Sequence, residues 1–223
     1  MEIHHVPVTR TARVAVLGGR EAGDPVGDQV ETWTVLHGYR QLAHRFLRRF
    51  RGIASPRRRI LAPEGLSRFY LESPERVRDA RGAIGASWMT REDRDAEIAD
   101  YVGYLDAVIR DLGGGGYHTA LGFSQGAHTA ARWAVRGTTP LHRLVLWGAA
   151  LPGDLPAGEA RRLEGVEILL VRGASDRLRN PAEEAREEAW LQEAGLHYRV
   201  ETHPGGHEID ASVLLTLADG VPG

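Results

Sequence analysis

Two kinds of hydrophobic pattern alternate along this chain. Short, nearly continuous apolar runs at 31–36, 59–62, 119–123, 143–147, 166–171 and 198–202 read as buried strands. Between several of them the apolar residues recur every three or four positions, the spacing of a helix with one buried face. Leu42, Ala43, Phe46, Leu47 and Phe50 form one such set, with Arg45, Arg48 and Arg49 left outside. Ile98, Tyr101, Val102, Leu105, Val108, Ile109 and Leu112 form the clearest one, behind Thr90-Arg91-Glu92-Asp93, which resembles a capping box. Ala127, Ala130, Ala131 and Ala134 give a helix face small enough to lie close against a sheet, and Asn180-Pro181 opens a further helix that Gly195 closes. Strand followed by helix from residue 31 onward predicts an α/β fold with a mostly parallel central sheet and helices on both faces. Ahead of it, His4 to Val8 and Ala12 to Leu17 flank a break at 9–11 and suit an antiparallel hairpin at a sheet edge, where Pro7 is tolerated.

Two stretches break the alternation. Residues 18–29 are rich in Gly and Asp and read as a loop, without the glycine spacing of a dinucleotide-binding turn. Residues 64–90 form a long excursion with no clean period, and carry Phe69, Tyr70, Trp88 and Met89. Long loops within compact domains tend to be functional, so this one is read as an insertion near the site within a single domain spanning 1–223. Its four large side chains are candidates for one wall of a substrate pocket; packing as a satellite core against the helix that follows is the competing reading.

Composition narrows the chemistry. There is no cysteine, which removes disulfides, thiolate metal sites and a cysteine nucleophile. All 28 basic residues are arginine, so a P-loop lysine and a Schiff-base lysine are absent too. A net charge of −2 gives no general nucleic-acid footprint. The run of arginines between 45 and 59 reads as a solvated face. The first residues lack a basic segment followed by an apolar run, and no stretch reaches membrane-spanning length, so no stable membrane insertion is expected and a cytoplasmic location is. No cofactor or metal is called for, the partner expected is a small-molecule substrate, and the chain is expected as a monomer or homodimer.

The candidate chemistry centres on Gly122-Phe123-Ser124-Gln125-Gly126, a G-x-S-x-G between a short strand and a small-residue helix. Alone it is a weak signal, since chance supplies ~0.1 such pentapeptides in a chain this rich in glycine. Its surroundings add weight. Ligand sites in parallel sheets lie at the carboxyl ends of the strands. Three such ends carry His37-Gly38-Tyr39, Arg172-Gly173-Ala174-Ser175-Asp176 and His203-Pro204-Gly205-Gly206-His207. The chain order Ser124, Asp176, His207 is that of an α/β-hydrolase nucleophile, acid and base, while the backbone N–H groups of Tyr39 and Gln125 can form an oxyanion hole. Asp176 reads equally well as a turn aspartate; Asp154 and Asp210 are rival acids. His37 precedes the nucleophile and shapes a turn. His203 with His207 does not make a metal pair, because Pro-Gly-Gly between them prevents the helical i, i+4 geometry.

These segments resemble the phospholipase/carboxylesterase family of α/β-hydrolases, which includes the acyl-protein thioesterases, and the runs His37-Gly38-Tyr39 with Gln41-Leu42-Ala43, 62–70 and 86–90 resemble a bacterial subgroup of esterases or hydrolases within it. The resemblance rests on Leu36-His37-Gly38, the G-F-S-Q-G pentapeptide, Gly173-Ala174-Ser175-Asp176, Gly206-His207 and Ala86-Ser87-Trp88, and extends over roughly residues 5 to 217. It implies the α/β-hydrolase fold, a Ser124, His207, Asp176 triad, and cleavage of carboxylic esters, thioesters or lysophospholipids through an acyl-serine intermediate. An acyltransferase or perhydrolase variant of the same site, and a hydrolase-fold binding protein with little turnover, are the alternative readings. Arg40, Met89 and Thr90 depart from the family pattern.

Overall fold

A computed structural model describes residues 1–19, 31–71, 83–114 and 116–220. Seven strands form the main sheet: β1 (Val14–Gly18), β2 (Glu31–Leu36), β3 (Arg58–Pro63), β6 (His118–Phe123), β7 (Arg143–Trp147), β8 (Glu167–Gly173) and β9 (Tyr198–His203). They lie in the order β1-β3-β2-β6-β7-β8-β9, with every neighbouring pair parallel except β1 and β3. Alternation along the strands divides their side chains between two cores. Leu36, Ala120, Leu144, Leu146, Ile168 and Leu170 face one layer, with α2 (Arg94–Leu112), α3 (Gln125–Arg136) and α4 (Pro181–Glu193). Trp33, Val35, Leu121, Phe123, Val145, Trp147, Leu169 and Val171 face the other, with α1 (Ala43–Phe46), the 3₁₀ turns of Leu47–Ile53, and α5 (Ala211–Asp219). Both faces being covered is why the central strands β2, β6 and β7 are buried at nearly every position instead of at every second one.

The chain starts at the edge with β1, passes to β2 and fills the place between them with β3, then returns to the other side of β2 with β6 and proceeds to β9. The strand order therefore reverses between β2 and β6, and the segments leaving their carboxyl ends diverge there. Such a switch point opens a crevice at the top of a parallel sheet. Residues 37–39 and Ser124 are the two segments that leave it.

The expected antiparallel edge is present, with a different partner. β1 pairs with β3, Val14 opposite Pro63 and Gly18 opposite Arg59, while residues 4–8 form no strand. Pro7 lacks the N–H a ladder needs, whereas β3 offers a free edge beside it. The excursion at 64–90 contains a two-stranded hairpin, β4 (Ser67–Tyr70) with β5 (Ile84–Ser87), whose connection at 72–82 lies outside the described residues, as do 20–29 of the expected glycine-rich loop. The capping box is also redrawn. Asp93 is the N-cap of α2, in a left-handed conformation with φ 47° and no side-chain cap bond, and it is Glu97 that receives the backbone N–H and hydroxyl of Thr90. Among the described residues no helix is long and apolar enough to cross a membrane.

Candidate active site

Ser124 sits between β6 and α3 with φ 55° and ψ −120°, a conformation that L-residues rarely adopt outside strained turns. Glycines make this turn possible. A Cβ on Gly122 would collide with the Gly126 carbonyl, and one on Gly126 with the Leu36 carbonyl, so the turn is pressed onto both its own helix and the end of β2. The Ser124 N–H is anchored to the Trp147 carbonyl at the end of β7 (2.8 Å).

Asp176 and His207 are brought together from the ends of β8 and β9. His207 Nδ1 lies 2.7 Å from Asp176 Oδ2, and the carboxylate is almost wholly buried, its other oxygen accepting the Leu178 N–H at 2.8 Å. A buried carboxylate with both oxygens engaged holds an imidazole in one tautomer, with Nδ1 protonated and Nε2 free. Phe123 packs on the His207 ring at 4.8 Å between centroids, and Gly148 leaves room beside it. Ser124 and His207 border the same cavity of about 330 Å³, without a hydrogen bond between them among the described residues.

The rival acids do other work. Asp154 is shared by Arg132, whose Nη2 lies 2.8 Å away, and Arg94, at 2.7 Å. Burial alone would raise its carboxyl, but these bonds outweigh that and hold it well below the usual carboxylate range. Asp210 caps α5 through the N–H groups of Ser212 and Val213.

The turn after β2 lies against the serine, since a Cβ on Gly38 would come within 3.2 Å of the Ser124 Cβ. The N–H groups flanking Tyr39 are both used, Gly38 donating to Gln41 Oε1 (2.9 Å) and Arg40 to the Ala86 carbonyl (2.9 Å). Those of Tyr39 and Gln125 have no acceptor among the described residues. His37 lies beneath as a structural residue. It is fully buried, accepts the Gly65 N–H at Nε2 (3.0 Å) and donates from Nδ1 to the Gly38 carbonyl (2.8 Å), which fixes it as the neutral Nδ1–H tautomer. Burial pushes its pKa down, in the same direction. The side chain of Gln125 faces the hairpin, donating from Nε2 to Ser87 Oγ (3.0 Å) and the Met89 carbonyl (2.9 Å).

The four large side chains of the excursion separate. Trp88 is buried in the core, packs against Tyr101 and His37, and donates Nε1 to the His37 carbonyl at 2.8 Å. It does not line the cavity beside Ser124, which corrects its expected place in a pocket wall; an indole large enough for a wall also fills the gap between α2 and the β2 turn. Met89 packs against the same core, Phe69 stacks on Tyr39 at 5.5 Å, and Tyr70 is exposed. None of these three borders that cavity either; its walls are Leu146, Gly148, Ala149, Leu170 and Leu178, with His128, Arg172, Arg179 and Glu187 at its polar end. Sequence reasoning missed this second group because its members come from α3, β8, the loop after β8 and α4; the one available signal was a glutamate-rich helix following a strand with an arginine near its end. Arg172 bonds Glu187 (3.0 Å) and Glu188 (2.7 Å), and Glu187 also accepts the Leu151 N–H. No three His, Asp or Glu side chains among the described residues converge as a metal site.

The fold aligns with solved structures of other proteins. Acyl-protein thioesterase 2 from Zea mays superposes with a TM-score of 0.69 at 16% identity, covering 94% of this chain and 97% of that one. SOBER1 from Arabidopsis thaliana gives 0.65 at 18% identity, covering 85% and 97%. A carboxylesterase from Mesorhizobium loti gives 0.62 at 22% identity, covering 86% and 89%. No curated protein matches the chain in sequence. At these identities the likeness establishes the α/β-hydrolase fold, as the sequence resemblance implied. The model of the family described as "Serine hydrolase (FSH1)" matches residues 30–212, from β2 through the start of α5 and so across all three candidate catalytic positions, and the chain belongs to that serine hydrolase family.

Proposed function

We propose that the protein hydrolyses carboxylic esters, or thioesters, through an acyl-serine intermediate. The observation that carries this reading is the Asp176–His207 pair at 2.7 Å, whose histidine borders the same cavity as the strained Ser124 turn. Ser124 Oγ attacks the ester carbonyl carbon and passes its proton to His207 Nε2. The carbonyl π-electrons move onto oxygen, where the Tyr39 and Gln125 N–H groups receive the charge. Collapse breaks the bond to the leaving oxygen or sulfur, which takes the proton from His207. Water then attacks the acyl-serine by the same route, His207 acting first as base and then as acid, and the carboxylic acid departs. Asp176 stays ionised throughout and stabilises the imidazolium.

The test is covalent labelling by a fluorophosphonate alongside turnover of 4-nitrophenyl butyrate. Wild-type protein is expected to be labelled once and to turn over repeatedly. Ser124→Ala should lose the label and at least ~10³-fold in kcat. Undiminished turnover in that variant refutes the serine mechanism, and labelling without turnover would favour a binding protein.

A further inference from the structure

On α3 the residues Ser124, His128, Arg132 and Arg136 follow one another at intervals of four, so a single helix face runs from the nucleophile to two guanidinium groups. His128 is the boundary. Together with Glu183 and Glu187 it lines both the cavity beside Ser124 and a second one of about 800 Å³. The near cavity is walled by Leu146, Ala149, Leu170 and Leu178, while the far one is walled by Arg91, Arg94, Arg132 and Arg186.

The carboxylates of the far cavity do not neutralise these arginines. Asp154 serves three of them, Arg132 at 2.8 Å, Arg94 at 2.7 Å and Arg136 at 3.8 Å. Glu187 is engaged by Arg172 and the Leu151 N–H, outside this set. Glu183 lies 3.9 Å from Arg186, and Arg91 forms no ion pair among the described residues. His128 adds no negative charge: burial chiefly, with the Arg132 charge beside it, holds its pKa down and keeps the ring neutral. The far cavity therefore carries surplus positive charge, at a distance from Ser124 set by the helix. Eight residues of helix from Ser124 to Arg132 rise about 12 Å.

Resting on the ester-hydrolase reading above, we propose that the preferred substrates carry an oxyanion, a carboxylate or phosphate, beyond an apolar spacer from the scissile ester, and that Arg91 and Arg94 hold it. Two series place that charge on opposite sides of the ester. Mono-4-nitrophenyl esters of succinic, adipic and suberic acid put it on the acyl part; butyrate esters of ω-hydroxycarboxylic acids put it on the alcohol. Each is compared with its methyl-capped, neutral counterpart. In one series kcat/KM should favour the anionic ester by about tenfold or more, the scale of one charge-assisted hydrogen bond, with the advantage growing from the shortest spacer to the longest. The ratio should fall toward one in the Arg91→Gln/Arg94→Gln double variant and persist in Arg45→Gln, a change at the exposed arginine of α1. A wild-type ratio at or below one in both series, or a ratio untouched by the double variant, overturns the proposal. The same question is read without turnover on Ser124→Ala protein, where monomethyl suberate should raise Tm more than dimethyl suberate, and the difference should vanish in the double variant. Equal shifts there overturn it too. Loss of fluorophosphonate labelling in the wild type, by contrast, would strike only the serine mechanism.

Discussion

Replacing Asp176 by Asn tests the site at a buried polar contact. The carboxylate is 1% exposed, accepts His207 Nδ1–H at Oδ2 and accepts the Leu178 N–H at Oδ1. An amide in the same place can keep the Leu178 bond through its oxygen, and then turns its NH₂ toward His207. The imidazole must answer with an unprotonated Nδ1, which places the proton on Nε2, the nitrogen that has to accept one from Ser124. The expected loss in kcat is up to roughly 10⁴-fold, or about 5 kcal/mol of barrier. Stability should fall far less, by roughly 1–3 kcal/mol for a disturbed buried hydrogen bond. Asp210→Ala provides the contrast: it removes the cap on α5, at about 1 kcal/mol, and Asp210 bonds to neither His207 nor Ser124. Both variants would be assayed on 4-nitrophenyl butyrate with urea denaturation run in parallel. Asp176→Asn within tenfold of wild type, or Asp210→Ala as inactive as Asp176→Asn, would remove Asp176 from the mechanism.

Trp88→Phe should lower stability by roughly 1–3 kcal/mol, because the His37 carbonyl loses the indole N–H inside the core, while the order of preference among acetyl, butyryl and octanoyl esters stays as in wild type. A reordered chain-length profile would return Trp88 to the pocket. Glu187 gives a pH signature: burial above all raises its carboxyl to about 7, against the pull of Arg172. A raised folded-state pKa means that the stabilisation is complete below the unfolded value of ~4.5 and is lost as pH rises through about 7, a change of order 3 kcal/mol. Glu187→Gln should therefore gain on wild type in denaturant midpoints between pH 4.5 and 7.5, and a pH-independent difference would contradict this account.

How much of this was legible beforehand depended on whether a feature lies within one segment. The β6, Ser124, α3 unit was readable because Gly122 and Gly126 report backbone crowding directly, and the sheet because its central strands are buried on both faces and so carry short apolar runs. Glu31 and the arginines at 57–59 gave no sign that β1 would pair with β3, since antiparallel partners distant in sequence leave no local trace. The hairpin of β4 and β5 was hidden for a related reason: four-residue strands carry too few alternations to show a period, and Phe69 next to Tyr70 looks like a cluster instead of two opposite faces. Leu42 to Phe50 read as one helix, yet the α-helix gives way to 3₁₀ turns after Phe46. The His128, Arg172 and Glu187 group was invisible because each residue looks solvated in its own segment; only the packing of α4 against the end of β8 gives Arg172 its three glutamates.

The backbone at Ser124 sets reactivity against persistence within a single residue. Its positive φ is a conformation that glycine accepts freely and serine does not, so the local free energy of the native state would improve if the side chain proposed as the nucleophile were lost. A population of such chains kept only for being folded would drift toward glycine there. On the proposed mechanism, the hydroxyl at Ser124 answers to what the chain does, and not to how it folds.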